Sequence, residues 1–297
     1  MNTFSSEKLS DEIVESIRLF IDKRMEELRN GGSFYNQVIR EDILPLLDSQ
    51  CTIIYYPSDD TEEDNNGFHK TYRYHGENRH FVYINTSQDI EKQNFTAAHE
   101  LGHVWKVDEH LKTELGVSIN DDLNERIMNR FAAELMMPKK LFCAFFEKTF
   151  DDKVKDGNLT IELLIQIITI IMNEFYVPYK SVIGRLYELG YMKESSARVL
   201  WDGTPLLTRE DIINYSKKYS KEQGFTRLYS PDTKKHIAGL KEKLDNARQK
   251  SAAPEQWLLE FYSRFGLEAS DTEDSLKTEI TISKDEETRD NVGKSCD

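Results

Sequence analysis

The sequence predicts an α+β fold: a small sheet of about three strands packed on helices, followed by a mostly helical C-terminal extension. Three observations carry that expectation. Apolar residues recur at helical spacing over most of the 297 residues. Short β-branched and aromatic runs cluster within residues 52–85, bounded by polar or glycine-containing turns. The longest apolar run, LLIQIITIIM at 163–172, is too short to span a bilayer and reads as a buried helix, so no membrane partner is expected.

In chain order, residues 9–29 read as an amphipathic helix with Leu9, Ile13, Ile17, Phe20, Met25 and Leu28 along one side, ended by Asn30-Gly31-Gly32. A second helix near 34–48 carries Val38, Ile39, Ile43 and Leu47, and Pro45 should distort it. Strands follow near 52–56, 68–74 and 80–85, with a turn at 76–78 between the last two. The third strand suits either a sheet edge that pairs with an extended peptide or a core strand with Phe81 and Tyr83 opposite Val82 and Ile84. Helices are expected around HELGH, where Phe95, Ala98, Leu101 and Val104 or Trp105 recur at helical spacing with Asp89 and Glu91 near the start, over 121–137, and briefly from Pro138. Residues 160–192 read as two helices with a tight link at FYVP, of helix-turn-helix proportions. WDGTP at 201–205 reads as a linker. This divides the chain into a main domain at 1–150, a helical segment at 156–200, a basic helical region at 206–266 and an acidic, disordered tail at 267–297.

Composition narrows the function. A net charge of −14 disfavours nonspecific nucleic-acid binding. Within 156–200, Asp156, Glu162, Glu174, Glu188 and Glu194 offset Lys180, Arg185, Lys193 and Arg198. A DNA reader carries a basic recognition helix, so direct DNA binding is not expected. The first twenty residues lack a basic start followed by an apolar core, and no signal peptide is expected. Cys51, Cys143 and Cys296 show no metal spacing, and Cys51 and Cys143 read as small buried hydrophobes. An odd count without a framework fits a reducing cytoplasm.

The pentapeptide HELGH at 99–103 carries the chemistry. On a helix, His99 and His103 lie one turn apart on one face, where two imidazoles can hold a Zn²⁺ ion. Glu100 then stands beside a water at the metal, as a general base would. A solvated helix face with two histidines is the competing reading. A third ligand is needed. The extension HExxHxxGxxH fails, because position 106 is Lys, 109 is Glu and His110 comes one residue late. A carboxylate from the 121–137 helix remains. Glu125 is the preferred ligand, with Asn129 one turn on to hydrogen-bond a ligating histidine, and Glu134 is the competitor. Two histidines and a carboxylate also suit iron(II). Tyr72, His75 and Tyr83 are candidates for oxyanion or substrate contacts.

KQNFTAAHELGHVW at 92–105 and NERIMNRFAAELMMP at 124–138 resemble the ImmA/IrrE family of zinc metallopeptidases, bacterial and phage-associated cytoplasmic proteins. Phe95, Thr96, Ala98, His99, Glu100, Leu101, Gly102 and His103 match the first block of that family. Glu125, Asn129, Phe131, Ala132, Glu134, Leu135, Met137 and Pro138 match the second, with Met128 where alanine is usual. The resemblance spans roughly 35–200. It implies zincin-like helices with His99, His103 and Glu125 as ligands, Glu100 as catalytic base, and a protein substrate, with a helix-turn-helix repressor as the candidate. The expected activity is a gluzincin-like zinc metalloendopeptidase. The alternative is a DNA- or protein-binding regulator with a structural or sensory metal, and a non-peptide amide would use the same site.

Overall fold

The computed structural model describes residue 4 and residues 8–33, 38–58, 66–74, 76–155 and 160–268. It forms two compact units, Met1–Ile237 and Ala238–Asp297. The fold is α+β, mostly helical around one small mixed sheet.

In the larger unit, α1 (Asp11–Asn30) starts at Ser10, whose side chain accepts from the Ile13 N–H, and it buries Ile13, Ile17, Phe20 and Ile21. A 3₁₀ turn at Arg40–Asp42 leads into α2 (Ile43–Asp48). The expected longer helix is short, because it begins two residues before Pro45. The proline thus falls in the first turn, where an N–H has no helical partner to lose. Strands β1 (Thr52–Tyr56), β2 (Gly67–Tyr74) and β3 (Glu77–Asn85) precede α3 (Ile90–Val104), α4 (Val107–Leu115), α5 (Asp121–Met136) and α6 (Lys139–Lys155). The helix expected to be brief after Pro138 is therefore α6, 17 residues long. It continues because Phe142, Phe146 and Phe150 recur one turn apart and are all buried.

The helix pair foreseen at 160–192 is α7 (Ile161–Phe175) and α8 (Tyr179–Glu188), bent by 104° at Tyr176-Val177-Pro178. Among the described residues no single helix is long and apolar enough to cross a membrane. After α9 (Glu194–Asp202), the WDGTP stretch is not a free linker. Gly203 and Thr204 form β4, which pairs with β5 (Leu207–Thr208) and turns the chain into α10 (Arg209–Glu222). Gly203 has φ +78, and a Cβ there would lie 2.6 Å from the Arg209 nitrogen, so the turn requires glycine. Thr208 and Asp211 close a capping box that starts α10.

The sheet order is β2-β3-β1-β6, the last strand being His236–Ile237. Strands β1 and β3 are parallel, with Thr52 opposite Phe81 and Tyr56 opposite Asn85. Antiparallel pairing joins β2 to β3 and β6 to β1. Of the two readings of the third strand, the core strand is the one observed: β3 is paired on both sides, Val82 and Ile84 are fully buried, and β2 is the edge. In the smaller unit, α11 (Leu240–Gln249) and α12 (Glu255–Arg264) enclose Leu244, Leu258 and Tyr262. Most of the expected acidic tail, from residue 269 onward, lies outside the described residues.

Candidate metal centre

Two close approaches position the centre. At Gly67 in β2, an added Cβ would lie 2.7 Å from Thr96 Cγ2 on α3, so the helix lies directly against the sheet. At Gly102, inside HELGH, an added Cβ would lie 2.7 Å from Met128 Sδ and 3.0 Å from the Phe131 ring. Glycine at 102 thus lets α5 approach α3 side by side. It also accounts for Met128, which is fully buried and fills the groove over Gly102. With the axes this close, Glu125 and Asn129, one turn apart on α5, reach the histidine face of α3.

The donor atoms converge there. Glu125 Oε2 lies 3.2 Å from His99 Nε2, and Glu125 Oε1 lies 3.6 Å from His103 Nε2. One donor atom from each of His99, His103 and Glu125 falls within 4.8 Å of the other two. Ligands at 2.0–2.1 Å in a tetrahedron stand about 3.3 Å apart, so this triangle fits a zinc-sized cation, and two imidazoles with a carboxylate suit one chemically. His99 and His103 are mostly enclosed, whereas the Glu125 side chain is 58% exposed, which leaves one side of the triangle open. Asn129 Oδ1 accepts from His99 Nδ1 at 3.1 Å, so that Nε2 is the nitrogen presented to the donors.

Electrostatics separate the three acids. Burial pushes the Glu100 carboxyl up to about 7, with His99 opposing and the Glu125 charge adding to the rise. Hydrogen bonding to His99 holds Glu125 below the usual carboxylate range. The His99 imidazole is raised: burial disfavours its charge, but the bond and charge of Glu125 and the charge of Glu100 outweigh it. His103 is lowered by burial and by His99. Glu134 faces elsewhere. Its side chain is 2% exposed, and it is bound by Arg185 at 2.8 Å through both oxygens, by Arg18 at 2.9 Å and by Arg130 at 2.6 Å.

Other expected contacts are not brought to the centre. Side chains alternate across a strand, and the face of the sheet that meets α3 carries His69, Thr71, His80 and Val82. Tyr72 and Tyr83 belong to the opposite face. Tyr83 donates to the Tyr56 carbonyl oxygen at 3.0 Å, and Tyr72 is exposed. His75 lies outside the described residues. Sequence reasoning missed His69, whose ring stacks on His103 with centroids 5.9 Å apart. The signal was present: His69 and Thr71 share one strand face by period two, and the hairpin register brings His80 opposite Thr71. Burial and the neighbouring His80 and His103 hold His69 down at about 4. Cys51 and Cys143 are free and only half-buried.

Helix α8 lacks the surface of a DNA-recognition helix. None of its residues is exposed, and its arginine, Arg185, is fully buried on Glu134.

A sheet laid on a helix that bears two histidines, with a carboxylate from α5 completing a donor triangle, is an arrangement suited to hold a divalent cation. Residues 50–187 match the family model Peptidase M78, described as an IrrE N-terminal-like domain. The chain therefore carries an IrrE N-terminal-like domain over that span, and both motif blocks of the ImmA/IrrE resemblance fall inside it. No curated protein matches the chain significantly. Among solved structures, a Mycobacterium tuberculosis transcriptional regulator is similar at 13% identity and a TM-score of 0.36, covering 59% of this chain and 50% of that one. This chain thus spans about half the length of that regulator.

Proposed function

We propose that the chain is a cytoplasmic zinc-dependent endopeptidase that hydrolyses a peptide bond in a protein substrate, with a helix-turn-helix repressor as the candidate. The observation that carries this reading is the open donor triangle of His99, His103 and Glu125 with Glu100 buried next to it in sequence and outside the donor set. A structural metal site is closed by a fourth protein ligand, and the exposed side of Glu125 argues against such closure.

Bound at the triangle, Zn²⁺ supplies Lewis acidity to a substrate carbonyl and makes a water more acidic. Glu100, outside the donor set, would accept a proton from a water held at the triangle and pass it to the leaving amine. Asn129 fixes the tautomer and ring plane of His99. Strand β2, beside His103, has no strand on its outer side among the described residues, and an extended substrate segment pairs there as an added strand.

The test uses the purified full chain, zinc, and candidate repressors, with fragments read by mass spectrometry. Glu100→Gln should bind zinc like the parent and lose cleavage by orders of magnitude. Undiminished cleavage by the zinc-loaded variant would remove Glu100 from the mechanism. Zinc bound in full with no cleavage by the parent of any protein or peptide offered would favour a sensory or structural metal.

A further inference from the structure

The sheet face beside the donor triangle carries a second constellation that the peptidase reading does not use. His69 Nε2 and His80 Nδ1 stand 2.8 Å apart, and Thr71 Oγ1 lies 3.4 Å from the first and 3.3 Å from the second. The strand register produces this grouping: Thr71 is paired with His80, and His69 is two residues along the same face of β2. The rings stack at 17° with centroids 5.1 Å apart. Strand β1 begins opposite Phe81, so His80 lies beyond its end, and the cluster opens toward solvent, with Thr71 exposed and both imidazoles partly so.

We propose that His69, His80 and Thr71 form a second binding site for a divalent transition-metal cation, distinct from the triangle of His99, His103 and Glu125. Two imidazole nitrogens on a common tetrahedral ion stand about 3.3 Å apart, given metal–nitrogen distances of 2.0–2.1 Å. The pair must open by about half an ångström, a small rotation of two partly exposed rings. The Thr71 hydroxyl is a weak third donor, and water completes the shell. With only two strong ligands, this site binds at least tenfold more weakly than one with two histidines and a carboxylate. Imidazole donors favour Cu²⁺ over Zn²⁺. Lys106 lies near His80 and opposes a cation, but it is paired with Glu109 at 3.1 Å.

Calorimetric titration of the metal-free full chain with Zn²⁺ tests this. The parent should take up two ions, one tight and one weaker. His80→Gln should lose the weaker ion alone. The double variant His99→Ala with Glu125→Ala should lose the tight ion and keep the weaker one, and Cu²⁺ should bind the remaining site more tightly than Zn²⁺. A single ion in the parent that is lost in the His99→Ala/Glu125→Ala variant, or equal uptake by parent and His80→Gln, would reduce the cluster to a hydrogen bond between imidazoles. Loss of the tight ion in His80→Gln would also overturn the proposal, because the cluster would then serve the triangle. A parent that binds only the weaker ion, through His80, would support this site while removing the metal from the peptidase reading.

Discussion

Glu134→Gln separates the two glutamates of α5 that compete for the metal. The structure gives Glu134 three guanidinium partners and no route to the histidines, so the substitution should leave zinc binding intact and damage the fold. Its size follows from two estimates. Burial opposes ionisation, yet Arg185, Arg18 and Arg130 hold the Glu134 carboxyl down at about 2. Against an ordinary value of 4.5, that contributes about 3 kcal/mol at neutral pH. Breaking a buried pair from one side costs about 3–5 kcal/mol, because Arg185, fully buried, is left with only the looser contact to Glu188 at 3.6 Å to offset its charge. Against a total stability of about 5–15 kcal/mol, the melting temperature should fall by roughly 10 °C. The sign with pH is fixed by the lowered folded value: this stability is complete above about 4.5 and lost as pH falls toward 2. Glu134→Gln should therefore flatten the acid limb of the parent's stability curve. The assay is denaturant unfolding across pH, with zinc titration at low temperature where the variant is folded. Glu125→Ala should show the reverse pattern, with stability nearly unchanged in the metal-free protein and zinc affinity lost. A Glu134→Gln protein within 1 kcal/mol of the parent, or one that loses zinc as Glu125→Ala does, would refute the reasoning.

Other substitutions probe the support of the centre. Asn129→Ala removes the acceptor for His99 Nδ1 and should weaken zinc binding by about 10–100-fold with little change in unfolding; unchanged affinity would make the contact incidental. Gly102→Ala forces Met128 and Phe131 away and should cost about 1–3 kcal/mol while displacing Glu125, read as weaker zinc binding together with a lower midpoint. Adding Met128→Ala, which clears the nearest clash, should restore part of the zinc affinity. Removal of residues 238–297 should reduce cleavage of a folded substrate more than cleavage of a short peptide, since only the former can use remote surface; equal losses would count against a recognition role. An earlier cut, at 206, would also remove α10 and β6, whose Ile212 and pairing with β1 belong to the larger unit.

Local pattern made much of the centre legible. HELGH needs only helical spacing to put two histidines on one face, and Glu125 with Asn129 needs only the amphipathic pattern of 121–137. What stayed hidden depends on distant pairing. Strand β6 has two residues and meets β1 from about 180 positions further along the chain, with no pattern of its own. The candidates Tyr72 and Tyr83 fall on the sheet face opposite His69 and Thr71, a matter of strand parity in which a one-residue offset reverses the face. Glu134 looks like a ligand in the sequence because its three arginines come from α1, α5 and α8, which only the fold brings together. Helix α8 has helix-turn-helix proportions in the sequence, but its lack of an exposed face emerges only from packing.

Arg18 lies on α1, far upstream of the recognisable 50–187 segment, yet it is one of the three guanidiniums bound to Glu134 within it. From the other direction, the Tyr229 N–H donates to Glu91 at 3.2 Å, and Thr86 Oγ1 donates to the Lys234 carbonyl at 2.8 Å. The unit that inheritance marks and the unit that folds are therefore different lengths of chain. A fragment cut to residues 50–187 would keep every proposed ligand but lack Arg18, the covering helix α1 and the bonds with Tyr229 and Lys234. Such a fragment is expected to aggregate when produced alone, whereas one spanning residues 1–237 should behave as a single cooperative piece.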